Sequence, residues 1–194
     1  MTQIIIGGVP YKLSCTMADC DKDLHSFRTN ITLQRKGIEK GCCRYCKSSL
    51  INWERLYKRD FDDFEYTKSA LKYEMIRTVF WSIKQPNSEM VKKVTSLSPD
   101  KLDEKINLRL RTTLSKPKSQ NMYDGRQTPI DDDNLIHWAQ HATGTCCRGC
   151  LEEWYGIDTE DQMSNADYEY FKNVIKAYLN DIIFEYSNEE NKKV

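Results

Sequence analysis

Residues 140–154 read QHATGTCCRGCLEEW, and this stretch decides how the C-terminal half of the chain is interpreted. It places His141, Cys146, Cys147 and Cys150 close together, directly before a segment with helical character. Thiolates and imidazoles are common Zn²⁺ ligands, and a helix N-terminus favours the negative charge of a thiolate. The stretch therefore predicts a metal site formed by these four side chains.

The number of ligands at this predicted site stays open. Neighbouring side chains diverge, so adjacent cysteines seldom bind the same ion. If Cys147 is the ligand, Cys146 is a core or reactive thiol. A ligand from elsewhere would complete the site; the candidates are His137, His25, Cys42 and Asp124. Three protein ligands plus a water resemble a catalytic zinc site, whereas four form a structural one. An iron–sulfur cluster is a further alternative, although known cluster spacings match poorly.

A second group of cysteines lies near the N-terminus. Four of them have the spacing C-x4-C followed by C-x2-C: Cys15, Cys20, Cys43 and Cys46. Four thiolates suit a closed tetrahedral Zn²⁺ site, in which His25 or Cys42 could replace one cysteine. Gly7-Gly8 between apolar runs predicts a β-hairpin, residues 27–37 a second strand pair, and residues 47–57 a helix. This order is typical of a treble-clef zinc module.

Composition limits the class of protein. The chain has 194 residues, 39% of them hydrophobic and 30% charged, which is typical of a globular protein. No apolar run approaches the ~20 residues of a membrane span, and the first residues do not resemble a signal peptide. We therefore expect a cytoplasmic protein. In a reducing compartment, eight cysteines in two clusters favour metal binding over disulfides. Two zinc ions are expected.

The zero net charge hides a segregation of charge along the chain. Between Arg28 and Arg59 there are nine basic residues and only two acids, whereas acids dominate beyond Cys150. The first stretch could contact the phosphates of a nucleic acid. The candidate contact residues there are Arg44, Arg55, Lys58 and Arg59.

The remainder of the chain has helical patterns. Apolar residues repeat at three and four positions over 66–83, which predicts one amphipathic helix. Ser98 and Pro99 begin a second helix, residues 134–142 form a short one, and Ser164 caps the last. Residues 116–130 are a long loop rich in polar residues, which suggests a functional role.

The segments DGRQTPI and AQHATGTCCRGCLEEWYGI resemble DUF4186, a family of uncharacterised bacterial proteins. The family pattern is D-G-K-Q-T-P followed by A-Q-H-A-T-A-T-C-C-R-G-C-L-E-K-W-H-G-I, and the resemblance runs from about Leu97 to Phe184. Tyr155 replaces a histidine of the pattern, and His137 stands where an apolar residue is usual. The resemblance implies a bacterial or phage source but no activity. It also implies that loop 116–130 and the His/Cys segment form one site.

Several polar residues match the family pattern position by position. Four of them are candidates for contacting a substrate or partner: Asp124, Gln127, Thr128 and Arg148. The N-terminal segment CRYCKSSLINWERLYKRD is similar to zinc-binding segments of other uncharacterised bacterial proteins.

The expected fold is an α+β protein, mostly helical, with a small treble-clef-like zinc-binding β-hairpin module. Residues 1–60 form this module, and residues 61–194 form a helical DUF4186-like domain with the second metal site. The preferred function is a zinc-binding adaptor that engages nucleic acid or a partner protein, in bacterial defence or nucleic-acid processing. The alternative is a zinc-dependent hydrolase or deaminase-like enzyme using His141, Cys147 and Cys150. A redox switch based on Cys146 and Cys147 is the third hypothesis, and the oligomeric state stays open.

Overall fold

The computed structural model describes residues 3–192 and shows a mostly helical protein with one small sheet, in agreement with the α+β class. The strands are β1 (Gln3–Ile6) and β2 (Val9–Lys12). The helices are α1 (Ile31–Arg35), α2 (Trp53–Leu56), α3 (Phe64–Leu71), α4 (Met75–Thr78), α5 (Ser88–Thr95), α6 (Pro99–Leu114), α7 (Leu135–Ala142), α8 (Arg148–Tyr155) and α9 (Asn165–Asn191). Val79–Ile83 continues α4 as a π-helical turn.

The N-terminal hairpin is confirmed. β1 and β2 pair antiparallel, with Ile6 opposite Val9. The two connecting residues, Gly7 and Gly8, have φ angles of +56° and +81°, a region that glycine adopts without steric cost.

The strand pair predicted for residues 27–37 is wrong, and the helix predicted for residues 47–57 is present only over Trp53–Leu56. Asn30 accepts a hydrogen bond from the Leu33 N–H (2.9 Å) and thereby caps the short helix α1 where a strand pair was expected. Cys46 does not open a helix, because the next residue, Lys47, has a left-handed φ of +65°. Its N–H donates to the Cys43 carbonyl (2.9 Å), which closes a tight turn. The helical part of this segment is confined to α2, Trp53–Leu56.

The predicted helix over 66–83 is interrupted by the N-terminal segment. The His25 N–H donates to the Tyr73 carbonyl (2.7 Å), and the Met75 N–H donates to the His25 carbonyl (2.9 Å). These two bonds take the place of helical ones, so α3 ends at Leu71 and α4 begins at Met75. Because the N-terminal segment makes these bonds, residues 66–83 do not form one continuous helix.

The later helices begin where the capping residues predicted. Ser98 accepts from the Lys101 N–H, and Pro99 is the first residue of α6. Ser164 and Asp167 form a reciprocal capping box at the start of α9. Helix α7 also follows the prediction for residues 134–142.

One hydrophobic core contains residues from both sides of residue 60. Phe27 packs edge-on against Trp53 and Trp154, with ring centroids 5.6 and 6.0 Å away. Helix α9 packs against α6 and α7 and completes this core. Within residues 3–192, no helix combines the length and apolarity required to cross a bilayer.

Candidate metal centres

The first cluster consists of Cys20, His25, Cys43 and Cys46. Their ligand atoms all lie within 4.8 Å of one another. Cys20 Sγ is 3.7 Å from Cys43 Sγ, and Cys46 Sγ is 3.3 Å from His25 Nδ1. A tetrahedral zinc with sulfur ligands at ~2.3 Å separates the sulfurs by about 3.8 Å. Three thiols and one imidazole nitrogen are therefore spaced for a tetrahedral ion.

Hydrogen bonds around this cluster influence the protonation states of its candidate ligands. His25 Nε2 lies 2.9 Å from a carboxylate oxygen of Asp23, so Nε2 carries the proton and Nδ1 presents its lone pair to the thiols. Burial opposes ionisation of Cys43, but nearby backbone N–H groups, including that of Cys46, lower the pKa of its thiol. Burial opposes ionisation of Cys46 also, yet the hydroxyl and N–H of Ser48 help lower its pKa to about 6. Burial and the neighbouring thiols of Cys43 and Cys46, by contrast, raise the pKa of Cys20 to about 12. Without an ion, the cluster therefore favours thiolates at Cys43 and Cys46 but not at Cys20.

Cys15 does not belong to this first cluster, and the predicted set of four cysteines needs that correction. His25, the alternative that the sequence left open, occupies the fourth corner instead. The chain turns between Cys15 and Cys20, where the Met17 N–H donates to the Ser14 carbonyl (3.3 Å) and Met17 is buried in the core. This turn sends the Cys15 thiol in another direction.

The second cluster contains Cys146, Cys147 and Cys150, whose sulfurs lie within 4.8 Å of one another. None of the three is more than 3% exposed. Cys147 is the N-cap of α8, Cys150 lies in its first turn, and Cys146 Sγ is 3.4 Å from Cys150 Sγ. The adjacent cysteines thus share one cluster, contrary to the expectation that their side chains diverge. All eight cysteines are free thiols in this structure.

Cys15 lies beside the second cluster, outside the group of mutually close thiols. The thiols of Cys146 and Cys150 are close enough to affect the pKa of Cys15, which is raised to about 11. Shared protons from Cys146, Cys147 and Cys15 lower the pKa of Cys150 well below the usual range of a thiol. Residue 15 and residues 146–150, which are distant in the sequence, are therefore neighbours at the second cluster.

Two buried arginines face these sulfurs. Arg77 Nη2 lies 3.2 Å from Cys150 Sγ, while Arg28 Nη1 lies 3.9 Å from Cys147 Sγ and 3.8 Å from Cys150 Sγ. These guanidinium groups would offset part of the negative charge of thiolates around a divalent ion, although Arg77 also pairs with Glu74 (2.8 Å). Sequence reasoning missed both arginines. An arginine within the largely apolar stretch MIRTVFW (75–81) was the available signal, because a buried cation requires a charged partner.

His141 is not brought to the thiols, and its assignment as a zinc ligand is corrected. Its Nε2 lies 3.2 Å from the Thr128 carbonyl oxygen and 3.1 Å from that of Pro129. Since carbonyl oxygens only accept, Nε2 carries the proton and is occupied by the loop. Burial, with the nearby positive charge of Arg77, lowers the pKa of His141 to about 4. The imidazole is neutral and stacks on the Phe80 ring at 5.2 Å.

The polar residues shared with the family pattern point into the protein. Asp124 accepts from the Arg148 N–H (2.9 Å) and from the side chain of Gln127 (3.2 Å). The Thr128 hydroxyl donates to the Cys146 carbonyl (3.0 Å). Arg148 is fully buried and donates to the carbonyls of Asp158 and Thr159. These contacts hold loop 116–130 and the segment after α8 around the second cluster.

Three of the four basic candidates make internal contacts. Arg55 forms an ion pair with Asp63 (2.5 Å), and Arg59 forms one with Asp167 (3.2 Å). Arg44 donates to the Arg28 carbonyl (3.3 Å). Lys58 is exposed.

Tyr155 and Cys42 also have defined places. Tyr155, at the position of the family's histidine, is buried and its hydroxyl donates to the Thr143 carbonyl (2.5 Å). Tyr155 is therefore part of the hydrophobic core. Cys42 lies in neither cluster.

One family model matches the chain. It is that of the domain of unknown function DUF4186, and it covers residues 65–180, more than half of the protein. The match begins well before Leu97, where the resemblance in sequence was placed. No solved structure matches the chain.

Proposed function

The chain belongs to the DUF4186 family, and on that premise we propose that it is a two-zinc binding protein that acts as an adaptor for a partner protein. One observation carries the proposal: three buried thiols meet at the second cluster, with Cys15 beside them as the candidate fourth ligand and two arginines facing them. Four protein ligands close a zinc site and leave no position for water, which is the arrangement of structural sites. Such an ion would join the N-terminal segment to the family domain.

The first cluster supports a structural role as well. Three thiols and the Nδ1 of His25 supply four protein ligands. Zinc at both positions would stabilise segments that contain little regular structure, since residues 13–52 include only the short helix α1 and one 3-10 turn.

A partner protein is favoured over nucleic acid because most of the candidate basic residues already make contacts within this chain. Arg55 and Arg59 already form ion pairs with acids of this chain, and Arg44 donates to a carbonyl. Phosphate binding by these groups would first have to break those contacts. A nucleic-acid partner and a context in bacterial defence stay predictions.

Zinc content measured on the full chain tests the metal assignment, with two histidine variants as a matched pair. Wild-type protein should hold two zinc ions per chain. His25→Ala should hold one, because it removes a ligand of the first cluster. His141→Ala should keep two, because its nitrogen faces carbonyls. The reverse pattern would refute the ligand assignment, and a wild-type chain without zinc would refute the proposal.

A binding titration tests the preference for a protein partner. Labelled duplex DNA and single-stranded RNA should bind only in the range of non-specific association, about 10⁻⁴–10⁻⁶ M at physiological salt. Sub-micromolar binding that weakens steeply with salt, and that Lys58→Glu reduces, would favour the nucleic-acid hypothesis instead.

A further inference from the structure

A polar cleft lies between helix α8 and the segment that contains α1, and Lys118 of the long loop also lines it. Its volume is about 230 Å³. All of its lining residues except Ile31 and Gly149 have polar or charged side chains. A lining of this kind suits a small polar ligand and not an apolar one.

Three cations from distant parts of the sequence line this cleft: Arg28, Lys40 and Lys118. Lys118 is exposed and forms no ion pair within the described part of the chain. Lys40 lies 3.7 Å from an oxygen of Glu152, and both of these side chains are largely exposed, so their pairing is loose. Arg28 faces the thiols with Nη1, while its Nη2 lies 2.9 Å from the position that a Cβ on Gly149 would take. The cleft therefore has positive charge available for an anion.

Glu153 supplies a buried polar group at the same cleft. The residue is 7% exposed, its Oε2 accepts from the Thr29 N–H (3.4 Å), and its Oε1 is buried without a hydrogen-bond partner. Burial raises the pKa of Glu153 to about 8, so the carboxyl group is mostly protonated at neutral pH. Because Oε2 accepts a hydrogen bond, the proton is on Oε1, which is then a donor without an acceptor. Such a group is costly, and an oxygen of a bound anion would satisfy it.

The chemistry of the lining indicates the class of anion. A phosphate monoester carries a charge of about −1.5 to −2 and presents three strong acceptor oxygens. It can therefore engage several cations and the Glu153 hydroxyl at once, whereas a carboxylate has one charge and two oxygens. The side chains of Asn30 and Gln34 also line the cleft, and their amides suit hydroxyl groups on the rest of the ligand.

We propose that this cleft binds a small polar phosphate monoester. Lys118, Lys40 and Arg28 pair with the charge of the phosphate group. The Glu153 hydroxyl donates to one of its oxygens. None of these four side chains belongs to the thiol clusters, so the site does not depend on the zinc occupancy proposed above.

Isothermal titration calorimetry on the full, zinc-saturated chain in phosphate-free buffer tests the proposal. Glycerol 3-phosphate should bind at one site per chain, inorganic phosphate should bind at the same site, and glycerol should not bind. Lys118→Gln should weaken binding of glycerol 3-phosphate about tenfold, because it removes a charge-assisted contact. Lys116→Gln is the matched control, since this exposed lysine of the same loop does not line the cleft, and it should bind as wild type.

Two variants of Glu153 test the buried donor. Glu153→Gln keeps a donor and an acceptor at this position, so it should retain most of the affinity. Glu153→Leu has neither and should bind glycerol 3-phosphate about tenfold more weakly. Circular dichroism of both variants shows whether the chain is folded.

The outcomes are distinct. Wild-type affinity in Lys118→Gln or in folded Glu153→Leu would overturn the assignment of the cleft. A wild-type chain that binds neither glycerol 3-phosphate nor inorganic phosphate would overturn the site itself. Tighter binding of a phosphoserine peptide than of glycerol 3-phosphate would overturn the small ligand in favour of a phosphorylated protein. The zinc content decides the proposed function separately, so each of these failures leaves it intact.

Discussion

Replacing Glu74 by glutamine should destabilise the protein strongly, because Glu74 connects the N-terminal segment to the family domain. The side chain is 1% exposed and accepts hydrogen bonds from the Phe27 N–H (3.3 Å) and from Trp154 Nε1 (2.9 Å). One of its oxygens also lies 2.8 Å from Nε of Arg77, which is itself 1% exposed. Burial raises the pKa of Glu74, and the positive charge of Arg77 opposes this rise.

The loss in the free energy of unfolding follows from the positive charge of Arg77, which the substitution leaves without its carboxylate partner. Removing one partner of a buried ion pair costs about 3–5 kcal/mol. The amide of Glu74→Gln keeps one oxygen that can accept from Trp154 or Phe27, so we expect the lower end, about 3 kcal/mol. For a chain of this length, that loss lowers the thermal midpoint by about 6–12 °C.

Thermal unfolding followed by tryptophan fluorescence, at saturating zinc, measures this effect. Glu89→Gln is the matched control, since Glu89 pairs with Lys93 at the surface, 2.8 Å away, with both side chains largely exposed. The control should unfold at the wild-type temperature. If Glu74→Gln unfolds together with Glu89→Gln, the buried carboxylate does not hold the two segments together and the reasoning is refuted.

Three further predictions concern single residues. Gly156→Ala should lower the free energy of unfolding by at least 1 kcal/mol, because Gly156 has a φ of +66° and a Cβ there would lie 2.9 Å from the Tyr57 ring; urea unfolding that matches wild type would contradict this. Ser164→Ala should cost about 1 kcal/mol, because it removes one half of the capping box with Asp167, and Ser164→Asp, which can still cap, should recover most of that loss. Burial raises the pKa of Glu153 to about 8, so the folded chain binds this proton more tightly than the unfolded one. Stability should therefore fall as the pH rises from about 6 to about 8, and Glu153→Gln should flatten the decline in urea midpoints; an equal slope in both proteins would contradict the assignment.

The sequence by itself determined the chemistry of the candidate sites and much of the helical structure. Short spacings between cysteines predicted two clusters, and both are present, each with one pair of thiols at 3.7 Å or less. Capping residues such as Ser98 and Ser164 located the start of α6 and α9, because a cap acts on backbone groups within three residues. Such local signals can be read from one segment alone.

Only the tertiary structure decided which side chains share a cluster. Cys15 and Cys20 are five residues apart and are separated by the turn at Ser14–Met17, yet only Cys20 belongs to the first cluster. His25 takes the vacated corner of the first cluster, while its backbone interrupts the helix predicted over 66–83. These outcomes depend on contacts between residues 13–28 and the helices near residues 75 and 150, and no local pattern encodes contacts over such separations.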